Sequence, residues 1–194
     1  ITMRLEQIFP RTTQKLDDDS RLALYAPPAS AKSWLSFNFV TSIDGAASVA
    51  GLSGGLGNAA DQHIFRLLRR TAEAILVGAG TIRAEGYGGE LLSEEARAWR
   101  LAHGLSERPR LVIFSGTLDL DPSLEVFTEA PELPLVLTTQ GAPEKRREAL
   151  TGLADVVILD DGDVGPALLK ALGELGVSRV HSEGGPSLLG TFAE

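Results

Sequence analysis

The chain has 194 residues, 26 acidic and 18 basic side chains, a net charge of −8 and no cysteine. That length suits one globular domain able to bury roughly 70% of its unfolded surface without a disulfide or metal staple. The composition excludes Cys-ligated zinc, iron–sulfur clusters and thiol nucleophiles, and the acidic balance argues against general nucleic-acid binding.

Residues 1–33 read as an N-terminal arm with one short helix near Ser20–Tyr25. Ile1 and Thr2 precede the only methionine, Met3, so the natural start is expected at Met3 or upstream. Trp34-Leu-Ser-Phe-Asn-Phe-Val40 alternates apolar and polar side chains, the pattern of a half-buried strand. Thr41-Ser-Ile-Asp-Gly45 forms a turn, and a loop rich in glycine follows through Gly57. Asn58 caps the next helix, whose stripe is Ile64, Leu67, Leu68 and Thr71, with Arg66, Arg69 and Arg70 at its C-terminal end. Glu73–Val77 is an almost continuous apolar strand, as expected when both faces of a sheet are covered. It runs into Gly78-Ala-Gly80-Thr81 and a helical turn through Glu85.

Residues 86–107 read as a long polar loop that holds a helix over Ser93–His103. Strands follow at Arg110–Phe114, Leu135–Thr138, Asp155–Leu159 and Ser178–Ser182, with helices at Pro143–Leu150 and from Gly165-Pro166 to a stop at Gly176. Pro186–Glu194 reads as the first two turns of a helix without a stop signal, so the natural chain is expected to continue. The alternation predicts an α/β fold in three layers, a mostly parallel mixed sheet with helices on both faces, spanning residues 34–194 as one domain. No apolar run reaches the length of a membrane span, and a cytoplasmic location is the default expectation.

Two strands end in glycines and turn into a helix, at Ile75–Thr81 and Val180–Ser187. Such corners let a backbone approach a ligand and offer free amides to phosphate, although any α/β protein needs turn glycines. An ordinary dinucleotide fold is disfavoured: no acidic strand end lies about 20 residues beyond Gly80, where position 100 is Arg. Asp44 before Gly45 is either a turn former or a cleft carboxylate. Glu183 is either a ligand-facing carboxylate or a cap of the last helix. Helical geometry does not choose between Arg69 and Arg70 as the one that faces the sheet edge.

The ordered set of Ser42-Ile-Asp-Gly45, the Gly/Ser loop, Leu67-Leu-Arg69, Ala74–Thr81, Arg108-Pro-Arg110-Leu-Val-Ile and Ser182-Glu-Gly-Gly-Pro-Ser-Leu188 resembles the reductase domain of the riboflavin-biosynthesis deaminase/reductase family. The resemblance covers about Trp34 to Glu194 and implies the dihydrofolate-reductase-like fold. It implies NADPH as hydride donor and a ribosylamino-pyrimidine 5′-phosphate as substrate, its ribose reduced to ribityl. It places the cofactor at Val40, Thr81, Glu85, Ser115 and the stretch Gly185–Thr191; with the glycine corners added, the cofactor candidates also include Gly78, Gly80 and Gly184 beside Gly185, Pro186, Ser187 and Leu188. It places the substrate at Ser53, Arg69 and Glu183, and makes Asp44 and Glu183 the catalytic candidates. It also implies a homodimer.

Two departures stand out. The family's Asp/Glu-Asn-Pro-x-Leu-x-x-Arg segment is here replaced after Glu85 by Gly86-Tyr-Gly-Gly-Glu-Leu-Leu. The deaminase half, which needs a His/Cys/Cys zinc site, has no cysteine to build it, so a stand-alone reductase is expected. The altered segment leaves room for a pterin, dihydrofolate-like or other carbonyl substrate. A non-catalytic NADPH-binding protein is the reading from a different class.

Overall fold

The computed structural model describes residues 6–7, 9–11 and 16–193. Local chemistry sets the first elements. Asp17 caps α1 (Asp18–Leu24) by accepting from the Ser20 N–H, and Asn58 caps α2 (Ala59–Leu68) by accepting from the Ala60 and Asp61 N–H groups. β1 (Trp34–Phe37) lies between them and is shorter than the alternation suggested. The Asn38 N–H still donates to Ser182, after which the chain leaves the sheet to form the wall of a cleft.

β2 (Ala74–Gly78) is buried on both faces, and leads through α3 (Ala79–Glu85), α4 (Glu94–Ala102) and β3 (Arg110–Phe114) to α5 (Glu125–Thr128). The last elements are β4 (Leu135–Thr138), α6 (Glu144–Ala149), β5 (Asp155–Ile158), α7 (Val164–Glu174), β6 (Arg179–Ser182) and α8 (Pro186–Ala193). Gly86 and Gly176 end α3 and the α7 segment with φ of +67° and +78°, left-handed values that glycine adopts without a Cβ penalty. The four-residue α5 was not legible, because one turn leaves no periodic stripe.

The six strands stand in the order β1-β6-β2-β3-β4-β5, and every named pair is parallel. One face is packed by Ile75, Val77, Ile113 and Val136 against Ile82, Phe127 and Leu150. The other is packed by Ala74, Leu76, Val112, Leu135 and Leu137 against Leu168 and Leu172 of α7 and Leu188 of α8. The layering follows from handedness. The chain steps in one direction from β2 to β5, and right-handed crossovers put the intervening helices on one face. It then returns to insert β6 beside β2, which puts α7 on the opposite face. The direction of winding therefore reverses between β2 and β6, and a crevice opens at the carboxyl ends of those two strands.

The long segment after α3 is less loop-like than its polarity suggested. Ser93 caps α4 by accepting from the Ala96 N–H, and Arg100 of α4 is completely buried. No helix among the described residues is long and apolar enough to cross a membrane.

Candidate active site

The crevice is a cleft of about 830 Å³. Its floor is the pair of glycine corners. The Gly78 N–H donates to Gly184 O at 2.8 Å, which welds the end of β2 to the end of β6. The approach is too close for side chains: a Cβ on Gly185 would stand 2.9 Å from Thr81 Oγ1, and one on Gly78 would stand 3.4 Å from Gly185 N. A Cβ on Gly80, by contrast, would point into open space.

One wall is built on Glu183. Its side chain is 0% exposed, and it closes a bidentate ion pair with Arg69, with Nε–Oε1 at 2.5 Å and Nη2–Oε2 at 2.7 Å. Tyr87 Oη donates to the same Oε2 at 2.6 Å. Arg69 Nη1 donates to Leu91 O at 3.0 Å, and its guanidinium lies over the Phe65 ring at 4.6 Å. Burial pushes the Tyr87 phenol far up, and the Glu183 charge beside it adds to the effect, so the hydroxyl stays protonated as a donor. Burial works against the Arg69 charge, but its bonds to Glu183 outweigh that cost and raise its proton affinity above the ordinary value. The opposite wall comes from the glycine-rich loop, where Ser53 N and Oγ both donate to Glu85 Oε1, at 2.8 and 2.9 Å.

Val40, Ser53, Arg69, Gly78, Gly80, Thr81, Glu85, Ser115, Glu183, Gly184, Gly185, Pro186, Ser187, Leu188 and Thr191 all line this one cleft. Asp44 does not. It is exposed, its carboxylate accepts from the Ser42 hydroxyl, and that bond together with the Ala46 backbone lowers its pKa. In the structure Asp44 thus stands in an exposed turn, outside the cleft lining. Glu183 is no helix cap, because its carboxylate is taken by Arg69 and Tyr87. Arg70 faces away and lies 3.6 Å from Glu95, which settles the choice that helical geometry left open. Tyr87 was missed: a single aromatic in a polar, glycine-rich stretch carries no periodic signal.

Two residues before Glu183 sits His181 of β6. Its Nδ1 lies 3.0 Å from Ser36 Oγ, and its Nε2 is buried with no hydrogen-bond partner among the described residues. Burial holds its pKa below the ordinary 6.5; Arg69 pushes the same way and Glu183 opposes. A depressed folded-state value means the unfolded chain takes up the proton first as pH falls. The associated stability is therefore present above about pH 6.5 and is lost below it, ahead of the carboxylates. The urea midpoint of unfolding is expected to drop between about pH 7.5 and pH 5.5, and to drop less in His181→Asn. Equal slopes in the two proteins would assign the acid limb to other groups.

Residues 33–194 match the family model described as the RibD C-terminal domain. The chain belongs to that family. Among relatives of this RibD C-terminal domain, the 2,5-diamino-6-ribosylamino-4(3H)-pyrimidinone 5′-phosphate reductase of Archaeoglobus fulgidus is 28% identical over 133 residues, 68% of this chain and 60% of that protein. The riboflavin biosynthesis protein RibD of Bacillus amyloliquefaciens is 28% identical over 128 residues, 65% of this chain and 32% of its own length. The chain thus spans 60% and 32% of these two curated relatives. A solved pyrimidine reductase-like protein of Corynebacterium diphtheriae superposes with a TM-score of 0.75 at 30% identity, over 86% of this chain and 72% of that one. RibD of Acinetobacter baumannii shares the fold, with a TM-score of 0.60 at 17% identity over 85% of this chain and 43% of that one.

Proposed function

We propose that this RibD C-terminal domain is an NADPH-dependent reductase that converts the ribose of a ribosylamino-pyrimidine 5′-phosphate to the ribityl form. One observation carries the reading. Two glycine corners stand side by side at the point where the winding reverses, in a cleft that continues without a break to the Arg69–Glu183–Tyr87 wall. The substrate class is the one named for the Archaeoglobus relative.

The residues fit a dinucleotide. Gly80 leaves open space at the end of β2, and the first turn of α8 carries N–H groups of Ser187 and Leu188 with no intrahelical acceptor. Thr81 and Ser115 flank that floor with hydroxyls. When bound, NADPH supplies the hydride, and the protein's part is to place donor and acceptor carbons together and keep water out. Arg69, clamped by Glu183 and Leu91, presents a charge whose direction is fixed before substrate arrives. Tyr87 holds its proton on Oη against Glu183. Ser53 and Glu85 tie the glycine-rich loop to α3 and close the second wall. We place the protein in the cytoplasm as a homodimer, on the strength of the family; sedimentation of the purified chain tests the second point.

The deciding experiment offers the pyrimidine phosphate and dihydrofolate side by side and follows NADPH oxidation and product mass. Consumption of the pyrimidine supports the proposal. Reduction of dihydrofolate alone replaces the substrate, and NADPH binding with no turnover makes the chain a binding protein. Arg69→Ala is expected to raise KM for the pyrimidine by about tenfold to a hundredfold while changing the NADPH Kd by less than about threefold. The reverse ranking would move Arg69 to the cofactor.

A further inference from the structure

We propose that Arg100, outside the cleft, is a positioning residue that sets the Arg69–Glu183 pair. Arg100 sits in α4 and is 0% exposed. A buried cation normally needs a carboxylate. Among the described residues Arg100 has none within bonding distance: its guanidinium is spent on backbone oxygens and one hydroxyl. Nη1 donates to Arg70 O at 2.9 Å, to Ala72 O at 2.5 Å and, more weakly, to Arg69 O at 3.4 Å. Nε donates to Ser106 O at 2.7 Å and Nη2 to Ser106 Oγ at 3.2 Å.

The carbonyls of residues 69, 70 and 72 follow directly on α2. They lie in the turn at the negative end of the α2 dipole, where a fully buried guanidinium is favoured and gives these carbonyls a donor. Arg69 is the C-cap residue of that helix. Its backbone is therefore held from one side by Arg100, while its side chain is held by Glu183 and Leu91. Tyr87 and Leu91 belong to the segment that departs from the family pattern, and Arg100 to the helix α4 that follows it. Together the segment and α4 form a clasp around Arg69, and Arg100 is its anchor. Burial lowers the Arg100 pKa to about 10, so the anchor keeps its charge at neutral pH.

A lysine could keep the charge, but a single ammonium cannot reach carbonyls in several directions as the planar fork does. The test compares Arg100→Met and Arg100→Lys with the parent chain. The first readout needs no ligand: exchange of the Arg69 Nε proton, followed by NMR on 15N-arginine-labelled protein and assigned with Arg69→Lys. Its bond to the buried Glu183 makes this proton slow to exchange. Arg100→Met is expected to speed that exchange at least about tenfold, and Arg100→Lys by less, as one charge-assisted bond loosens. The second readout splits the two halves of the cleft and rests on the proposed function: KM for the pyrimidine should rise about tenfold while the NADPH Kd stays within about threefold. Unchanged exchange overturns the proposal, and so does a parallel loss of both ligands. Should Arg100→Met fail to fold, Arg100→Lys and Ser106→Ala decide by the same exchange measurement. A parent chain that reduces no pyrimidine defeats the proposed function and leaves the exchange result standing.

Discussion

Glu183→Ala is expected to lower the unfolding free energy by ~3–5 kcal/mol, because it strands the Arg69 cation in a wall where it is only 12% exposed. The size follows from desolvation. The pair gains little over an apolar wall of the same shape, but a lone buried charge cannot recover its lost water. Glu183→Gln keeps the shape and should cost less than Ala, since the amide oxygen still accepts from Arg69 or Tyr87. Tyr87→Phe removes a single donor from an oxygen that keeps Arg69, at a cost of about 1–2 kcal/mol. The decisive measurement is a urea-unfolding cycle with Glu183→Ala, Arg69→Ala and the double variant. The double variant should lose much less than the two singles added together, because removing both charges leaves no orphan. Additive losses would show that the two groups do not depend on each other. All three proteins should also lose pyrimidine turnover if the wall orients the substrate.

Gly185→Val should abolish most NADPH binding, raising the Kd by about 100-fold or more in a fluorescence titration. The new Cβ meets Thr81 Oγ1 at 2.9 Å, and the two methyl groups must then occupy the space above the joined strand ends. Part of that loss comes from disturbing the corner itself, at a stability cost of about 1–3 kcal/mol. Gly80→Ala separates the two effects. Beyond its chain neighbours and its own helix backbone, no atom of the described residues lies within 4 Å of its Cβ, so the ligand-free chain should become more stable by about 0.5–1 kcal/mol as a helical glycine is replaced. If a phosphate passes over Gly80, the same variant weakens NADPH by about tenfold. A Gly80→Ala protein that binds NADPH as the parent does would move the dinucleotide away from this corner.

The fold was legible because its signals are local. Ala74–Val77 is an uninterrupted apolar run, and a strand buried on both faces needs that. Asn58 and Ser93 cap the helices they precede, and Gly86 and Gly176 stop them. The glycine corners could be read for the same reason, since each lies within a few residues of sequence. The groups that complete the wall could not. Arg100 looks like any solvated helical arginine until the end of α2, some thirty residues earlier, is laid against it. Tyr87 gains its meaning from Glu183, and Ser53 from Glu85, by pairings that no periodicity announces. The choice of Arg69 over Arg70 came from the family resemblance, and in the structure it rests on which of two adjacent side chains turns toward the sheet edge. Asp44, a signature residue of the resemblance, stands in an exposed turn that its place before Gly45 already suggested.

The placing of β6 bears on how the molecule is made. It is the last strand in sequence among the described residues, yet it pairs with β1 on one side and β2 on the other, Ala74 lying against Val180. During synthesis every earlier strand is finished while the middle of the sheet is still missing. Until residues 179–182 emerge, the fully apolar β2 offers an open edge, the kind of surface that recruits other chains. Its final pairing joins residues far apart along the chain, which makes that step slow. The same short stretch then fills the gap between β1 and β2, sets down Glu183 and completes the glycine floor, so the middle of the sheet and this part of the site form in one event.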